Sequence, residues 1–185
     1  LFLCDQHLSH MQADQIDNTH KLLVEVCLAA KYEGQTITSR YPQYQEKYGD
    51  TGSTICTVLA RSFADIGDII RGKDLFRGYD QKDREQKKKI QDNLKEIFKK
   101  IYDNLVEKKE DAIGHCKDES RNYYKLREDW WALNRETVWK AITCNAKAFN
   151  YFRNTCNGQH KTENNCRCKD DQVPTYFDYV PQYLR

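Results

Sequence analysis

The chain has 185 residues, of which 39% are hydrophobic and 31% charged, and its formal net charge is +2. A chain of this length forms one domain or two small ones with a real core, and its apolar content is too high for a disordered chain. The small net charge disfavours nucleic-acid binding, and no apolar run approaches the roughly eighteen residues of a membrane span.

The first predicted helix runs from residue 18 to residue 30, because Asn18 suits a helix N-cap and apolar residues recur on one face of the segment. The following stretch, from Lys31 to Ile55, is polar and rich in tyrosine, and Pro42 and three glycines interrupt it. We therefore expect a long ordered loop over residues 31–55.

A second helix is predicted from Thr57 to Arg71, and Gly72 stands where a C-terminal cap glycine belongs. Gly67 inside this helix costs about 1 kcal/mol relative to alanine, which indicates that a neighbouring helix approaches closely there. The apolar positions that define the buried face are Leu59, Phe63, Ile66 and Ile70.

The third and longest helix is predicted from Asp83 to Lys108, with a narrow apolar stripe and an otherwise charged surface. A charge run of this kind is usually a solvated helix face. The functional alternative is a salt-sensitive contact with a sulfated or sialylated glycan. The candidate binding residues are Lys87, Lys88, Lys89, Lys95, Lys99 and Lys100.

The fourth helix is predicted from Leu126 to Thr143, and its apolar residues surround so much of the helix that we expect it to be buried between neighbours. Adjacent tryptophans can stack sugars or bases, but core packing is the better interpretation at this spacing. We expect one apolar side to include Leu133. The tryptophans are Trp130, Trp131 and Trp139. A disulfide-pinned loop is predicted over residues 145–173.

Eight cysteines in a lean core favour structural disulfides and an oxidising compartment. Their connectivity stays open, except that Cys166 and Cys168 are too close in sequence to pair with each other. A zinc site formed by Cys156, His160, Cys166 and Cys168 is the less favoured alternative, because the spacing is unlike that of the usual paired zinc ligands. The N-terminus lacks signal-peptide features, so we expect a piece of a larger protein.

No catalytic motif or cofactor-binding loop is present in the sequence, so we expect neither an enzyme nor a bound cofactor or metal. Asp65 and Asp68 lie three residues apart and could form an acid pair. A salt-bridge ladder on the helix surface, with Arg61 and Arg71, is the preferred interpretation. The five histidines stand in polar contexts and are expected to lie at the surface.

A series of motifs resembles the alpha class of Duffy-binding-like adhesion domains, which belong to the erythrocyte membrane protein 1 family of the malaria parasite Plasmodium falciparum. The resemblance covers essentially the whole chain. The motifs are CLAAKYEG from Cys27, YPQYQEKYGDTGSTIC from Tyr41, LARSFADIGDIIRG from Leu59, KLREDWW from Lys125, NRETVWKAITC from Asn134 and CRCKDDQVPTYFDYVPQYLR from Cys166.

This resemblance implies a mainly α fold: a disulfide-stabilised helical bundle with long ordered loops, comprising the first two subdomains of the family. The expected division is an N-terminal subdomain over residues 1–55 and a helical subdomain over residues 56–185, which ends at the start of a missing third. Cys116 is unusual for the family, and its pairing stays open. The cysteines expected in disulfides are Cys4, Cys27, Cys56, Cys144, Cys156, Cys166 and Cys168.

The resemblance also implies a non-enzymatic adhesin on the extracellular face of the infected erythrocyte, as part of a larger membrane-anchored protein. Its expected roles are cytoadherence and rosetting, and its expected partners are host receptors or glycans, neighbouring domains and antibodies. Immune evasion through antigenic variation would place receptor choice in residues 73–84, 107–122 and 145–163, which lie outside the matched motifs. The alternative is a scaffold segment that positions a neighbouring receptor-binding domain.

Overall fold

A computed structural model describes residues 6–48, 55–108, 120–147, 149–151 and 153–185 of the chain. Most of these residues are helical, which confirms the predicted mainly α fold. No helix in this part of the chain is long and apolar enough to cross a membrane. The helices of the described residues are α1 (Gln6–Ser9), α2 (Thr19–Tyr48), α3 (Ile55–Arg71), α4 (Gln81–Lys108) and α5 (Tyr124–Ile142).

Helix α2 begins where the sequence predicts and ends much later. The Asn18 Oδ1 atom accepts hydrogen bonds from the backbone N–H groups of His20 and Lys21, both at 3.0 Å, which confirms the cap. The helix then continues to Tyr48, so the predicted loop is wrong for residues 31–48. Residues 49–54 of the predicted loop lie outside the described residues.

Tertiary packing explains why α2 continues through Pro42. The Ile37 and Tyr41 side chains, one on each of the two turns before the proline, are buried in the common core. A proline inside a helix costs about 3 kcal/mol, whereas burial of a large apolar side chain stabilises by roughly 1.5–3 kcal/mol. Two such side chains offset the proline, and local sequence signals do not register this long-range contribution.

Two glycines allow α5 to approach its neighbours closely. A Cβ atom on Gly34 of α2 would lie 1.9 Å from the Ile142 carbonyl oxygen of α5. A Cβ atom on Gly67 of α3 would lie 2.7 Å from the Trp131 ring of α5. The close approach predicted for Gly67 is therefore confirmed, and α5 is in contact with α2 and α3 at positions where larger residues do not fit.

The C-terminus of α3 is closed by a glycine and a buried arginine. Gly72 has φ +74°, and the N–H groups of Gly72 and Lys73 donate to the carbonyls of Ile69 and Asp68, as in a Schellman motif. The buried Arg127 side chain of α5 donates to the carbonyl oxygens of Ile69, at 3.0 Å, and of Ile70. This guanidinium also complements the negative end of the α3 dipole.

Tryptophans of α5 form the centre of the core. Trp131 and Trp139 are fully buried, and their ring centroids lie 5.1 and 5.2 Å from that of Phe63 in α3. Trp130 packs edge-on against Phe98 of α4. These contacts confirm core packing rather than ligand stacking. The expectation for Leu133 is wrong: its side chain is 83% exposed, because α5 has one face in solvent.

The described residues between 143 and 175 contain no helix and are held by two disulfides. Cys56 of α3 bonds to Cys166, and Cys156 bonds to Cys168. Cys166 and Cys168 thus have different partners, as expected, and the sulfurs are not available for a zinc site. Isolated bridges such as that between Cys156 and His160 tighten the loop further.

Two cysteines expected in disulfides are not bonded in the structure. Cys27 lies half-buried on α2 and packs against the core, and Cys144 is exposed just beyond the end of α5. Neither is joined to another cysteine among the described residues. Burial raises the pKa of the Cys27 thiol, which keeps it protonated and unreactive. Cys4 and Cys116 lie outside the described residues.

One hydrophobic core extends across the boundary expected near residue 55. It includes Leu22 and Val26 of α2 together with Phe63 of α3 and Trp139 of α5. Glu33 of α2, which is buried, accepts a hydrogen bond of 2.9 Å from the Ser62 hydroxyl of α3. The described parts of the two expected subdomains therefore share their packing.

The first prediction concerns Gly34. Replacing it with alanine should destabilise the protein by roughly 1–3 kcal/mol, because the methyl group meets a backbone oxygen that cannot move without separating α2 from α5. Urea denaturation measures the change, with the exposed Gln45→Ala substitution in the same helix as a control that should have little effect. A gain of up to about 1 kcal/mol, the helix-propensity benefit of alanine, would show that the approach is not tight.

The second prediction ranks the two disulfides. Their sequence separations are 110 and 12 residues. Replacing Cys56 and Cys166 with alanine should therefore cost about 4–5 kcal/mol, against about 3 kcal/mol for Cys156 and Cys168, because the longer loop restricts the unfolded chain more. Denaturant titration of the two double variants tests the order, and the unbonded Cys144→Ala serves as control. Equal or reversed costs would contradict the ranking.

Candidate functional site

The six lysines proposed as binding residues divide into two groups on α4. Lys87 lies only 21% exposed, ion-paired with Asp74 and over the Phe76 ring. The Lys100 ammonium donates to the Ala13 carbonyl at 2.6 Å. These two side chains are engaged in holding the fold. The other four are exposed to solvent: Lys88, Lys89, Lys95 and Lys99.

Helical geometry brings three of the exposed lysines into one row with Arg84, which the sequence analysis missed. At 100° per residue, positions 84, 88, 95 and 99 fall within an arc of about 60°, and they extend along about 22 Å of the helix. Arg84 is exposed, although its Nε donates to the Asp80 carbonyl. We call Arg84, Lys88, Lys95 and Lys99 the cationic row. A spacing of i, i+4, i+11 and i+15 is the signal that reveals it.

Lys89 belongs to a different side of α4. It lies about 100° beyond Lys88 around the helix, where helical neighbours at i−4, i+3 and i+7 are all acidic. Consecutive lysines in the sequence therefore do not form one patch. The acidic neighbours are Glu85, Asp92 and Glu96.

The rotation of α4 is fixed by its core face and by three side chains on one flank. Ile90, Leu94, Ile97 and Phe98 are buried. Asn93, Lys100 and Asn104 donate to the carbonyl oxygens of Met11, Ala13 and Asp17 in the segment before α2, at 2.6–2.9 Å. These bonds lie about 100–200° around the helix from the cationic row, so they anchor α4 and leave the row accessible.

The candidate acid pair is part of a charge cluster in which Asp68 is buried and Asp65 half-buried, and not of a surface ladder. Asp68 is 4% exposed and pairs with Arg71 of the same helix at 3.0 Å. The Arg185 guanidinium, almost fully buried, donates to both Asp65, at 3.1 Å, and Asp68. The predicted partner Arg71 is thus correct for Asp68, but Arg185, 117 residues away in sequence, was not foreseen.

Burial changes the acidity of this cluster. Desolvation raises the pKa of Asp65 to about 6, although the nearby Arg185 charge acts in the opposite direction. Desolvation raises the pKa of Asp68 as well. Arg127, buried against the end of α3, has its pKa lowered to about 10 by burial. The two acids pair with Arg71 and Arg185, and Arg127 donates to the last carbonyls of α3, so all three side chains have structural roles. In the part of the chain that the structure describes, no cluster of His, Cys, Asp or Glu could hold a metal.

Comparison with known proteins identifies the class. The family model of the Duffy binding domain matches residues 1–185. The chain therefore belongs to the Duffy binding domain family. A search of curated proteins finds no significant match.

Solved structures confirm the resemblance to the alpha class. The NTS-DBL1(alpha-1) domain of Plasmodium falciparum membrane protein 1 (PfEMP1), varO strain, has a TM-score of 0.78 and 43% identity, covering 98% of this chain and 39% of that one. The NTS-DBL1-alpha and CIDR-gamma double domain from the same strain has a TM-score of 0.78 and 40% identity, and the match covers 98% of this chain and 25% of that one. A PfEMP1 DBLb domain bound to human ICAM-1 has a TM-score of 0.61 and 33% identity, and the match covers 89% of this chain and 30% of that one. The chain thus spans less than half of each solved relative.

The third prediction follows from the raised pKa of Asp65. A folded-state pKa near 6, above the ordinary 3.8, means that the folded protein holds this proton more tightly than the unfolded chain. The associated stability is fully present below pH 3.8 and is lost as pH rises towards 6. Asp65→Asn should therefore show a smaller loss of thermal stability between pH 4 and pH 7 than the wild type.

Thermal unfolding at half-unit pH steps measures this dependence. Asn retains an oxygen that can accept from Arg185, so the variant should fold. Asp92→Asn, an exposed acid of α4, provides the control and should follow the wild-type profile. A wild-type profile for Asp65→Asn would show that Asp65 ionises equally well in the folded and unfolded states.

Proposed function

We propose that this chain is a host-cell adhesion module that acts by binding and not by catalysis, and that α4 supplies its contact with an anionic glycan or receptor. Its setting would be the extracellular face of the infected erythrocyte, within a larger membrane-anchored protein. Membership of the Duffy binding domain family supports the adhesive role. A relative solved in complex with human ICAM-1 shows that a domain of this fold can hold a host receptor.

The observation that carries the proposal is the cationic row. Its four basic side chains are exposed, in line, and carried by a helix whose rotation is fixed on the opposite side. A linear series of charges fits a linear polyanion such as a sulfated polysaccharide. It also fits terminal sialic acids, which present single carboxylates. Attraction between exposed charges is screened within about 8–10 Å at physiological salt, so binding should weaken steeply as salt increases.

The fourth prediction is that Lys88→Glu, Lys95→Glu and Lys99→Glu together abolish binding to heparin and to red cells while the thermal unfolding midpoint stays close to wild type. The reversed charges would repel an anionic ligand without touching the core. Lys87 is left intact because it pairs with Asp74. Retention on a heparin column and adhesion to red cells, each over a salt gradient, are the measurements.

A matched triple variant controls for net charge. Lys31→Glu, Lys82→Glu and Lys89→Glu also reverse three exposed lysines, but none of them lies in the row. This variant should keep most of the binding. Sialidase-treated red cells separate the ligand sources: unchanged adhesion indicates a sulfated glycan, and lost adhesion indicates sialic acid. Equal loss in the two triple variants would mean that net charge and not the row governs binding, and would contradict the proposal.

A further inference from the structure

The solvent face of α4 carries a second row of charges, of opposite sign, beside the cationic row. At 100° per residue, positions 85, 92, 96 and 103 fall within an arc of about 40°, which begins about 20° beyond the edge of the cationic row. All four side chains are exposed carboxylates. The exposed face of α4 is therefore divided lengthwise into two stripes. We call the second stripe the acidic row: Glu85, Asp92, Glu96 and Asp103.

The two rows lie close enough for each to weaken the field of the other. Residues three or four positions apart on a helix have Cβ atoms about 5–6 Å apart. Asp92 stands in this relation to Lys88 and to Lys95, and Asp103 stands in it to Lys99. These separations are shorter than the roughly 8–10 Å over which charges act at physiological salt. An anion that approaches the lysines from the side of the acidic row therefore meets a repelling carboxylate beside each of them.

The contacts of the acidic row leave its negative charge in place. The Glu96 carboxylate lies 3.4 Å from the Lys100 ammonium, but the Glu96 side chain is 55% exposed, and a surface ion pair of this kind is weak. Glu85 accepts a hydrogen bond of 3.0 Å from the amide of Gln81, which is a neutral group. The row thus presents negative charge to solvent along most of the length of α4.

On its other edge, near the N-terminus of α4, the cationic row borders a neutral surface. A shallow pocket of about 160 Å³ lies there, lined by Lys88 and by apolar side chains that include Phe76 and Ile90. The acid on this side is Asp74, which is paired with Lys87. A narrow anionic chain can therefore lie on the cationic row, shifted towards this flank, without facing the acidic row.

We propose that the acidic row makes this face selective for a polyanion that is one chain wide and runs along the axis of α4. The inference rests on the proposed function, because it concerns the ligand of the same cationic row. A single sulfated chain aligned with the helix meets four cations over about 22 Å. A chain that crosses the helix meets one or two of them and then the acidic row, so the alignment along the axis is favoured.

Double-stranded nucleic acid is the kind of polyanion that such a face rejects. A DNA duplex has phosphates on two strands, which together carry one negative charge per about 1.7 Å of its axis. Its two grooves are about 12 and 6 Å wide, whereas an α-helix with its side chains is only about 10–12 Å in diameter. A duplex seated on the cationic row therefore also covers the acidic row. Like charges placed face to face suppress a wrong partner, so the acidic row contributes selectivity and not affinity.

The test neutralises the acidic row and leaves the cationic row intact. Glu85→Gln, Asp92→Asn and Asp103→Asn together should raise the affinity for a short DNA duplex by about tenfold or more, but the affinity for a heparin oligosaccharide by only about two- to threefold. Fluorescence anisotropy with labelled ligands at one salt concentration measures both. Glu96 is kept because its partner Lys100 holds α4 to the Ala13 carbonyl. The melting temperature should stay close to wild type, because the three replaced side chains are exposed.

A matched triple variant controls for net charge. Glu46→Gln, Glu136→Gln and Glu163→Gln remove the same charge from exposed positions outside α4, and should change the two affinities little and equally. An equal increase for DNA and heparin in the acidic-row variant, or no increase, would overturn the inference while leaving heparin binding by the wild type intact. If the wild type does not bind heparin, or binds it equally well with the cationic row reversed, the proposed function fails and this inference fails with it.

Discussion

The close contact of α5 with α2 and α3 is the constraint on which the rest of the structure depends. It requires no side chain at Gly34 and Gly67, and it brings the Trp131 ring against α3. From that position the Trp131 indole N–H donates to the buried Asp178 carboxylate at 2.9 Å. The helix contact therefore also decides where the C-terminal tail lies.

The charges around Asp178 show what such a buried cluster contributes. Its carboxylate accepts from Arg135 at 2.7 Å through each oxygen, and its backbone carbonyl accepts from Arg71. Burying ions costs several kcal/mol each, so the cluster adds little net stability over an apolar core. Removing one partner would, however, cost about 3–5 kcal/mol. With the tail packed against α3 and α5, both carboxylate oxygens of Asp178 are paired with Arg135, and its backbone carbonyl accepts from Arg71.

Local periodicity predicted the helices well, but it failed where long-range contacts decide whether a residue is helical or buried. Leu59 to Ile70 repeats an apolar pattern, and the cap of α2 and the Gly72 terminus of α3 are formed within a few residues, so each was predicted correctly. The continuation of α2 past Pro42 depends on burying Tyr41 in a core built from other helices. Leu133 fits the apolar pattern of α5, but its exposure follows from which neighbours surround that helix.

The sequence pointed to α4 as the candidate site but did not show which of its lysines share a face, because that too depends on long-range contacts. The lysines of α4 are evident in the sequence, yet a run of consecutive lysines spreads around a helix, and only the rotation of α4 selects those that share a face. Fixing that rotation takes the carbonyl groups of Met11 and Asp17, which lie more than eighty residues away. Pairing across such distances leaves no periodic trace in the sequence.

Asp74 connects α4 with the C-terminal tail. One carboxylate oxygen pairs with Lys87 of α4, and the other accepts from Gln182 in the C-terminal tail. Lys87, which begins the run of three consecutive lysines, therefore links α4 to the tail through Asp74. Its ammonium is neutralised by Asp74 and covers the Phe76 ring, so it adds little attraction for an external anion. Under the proposed function, the charge that binds a ligand is that of the cationic row, while Lys87 joins α4 to Asp74 and, through Gln182, to the C-terminal tail.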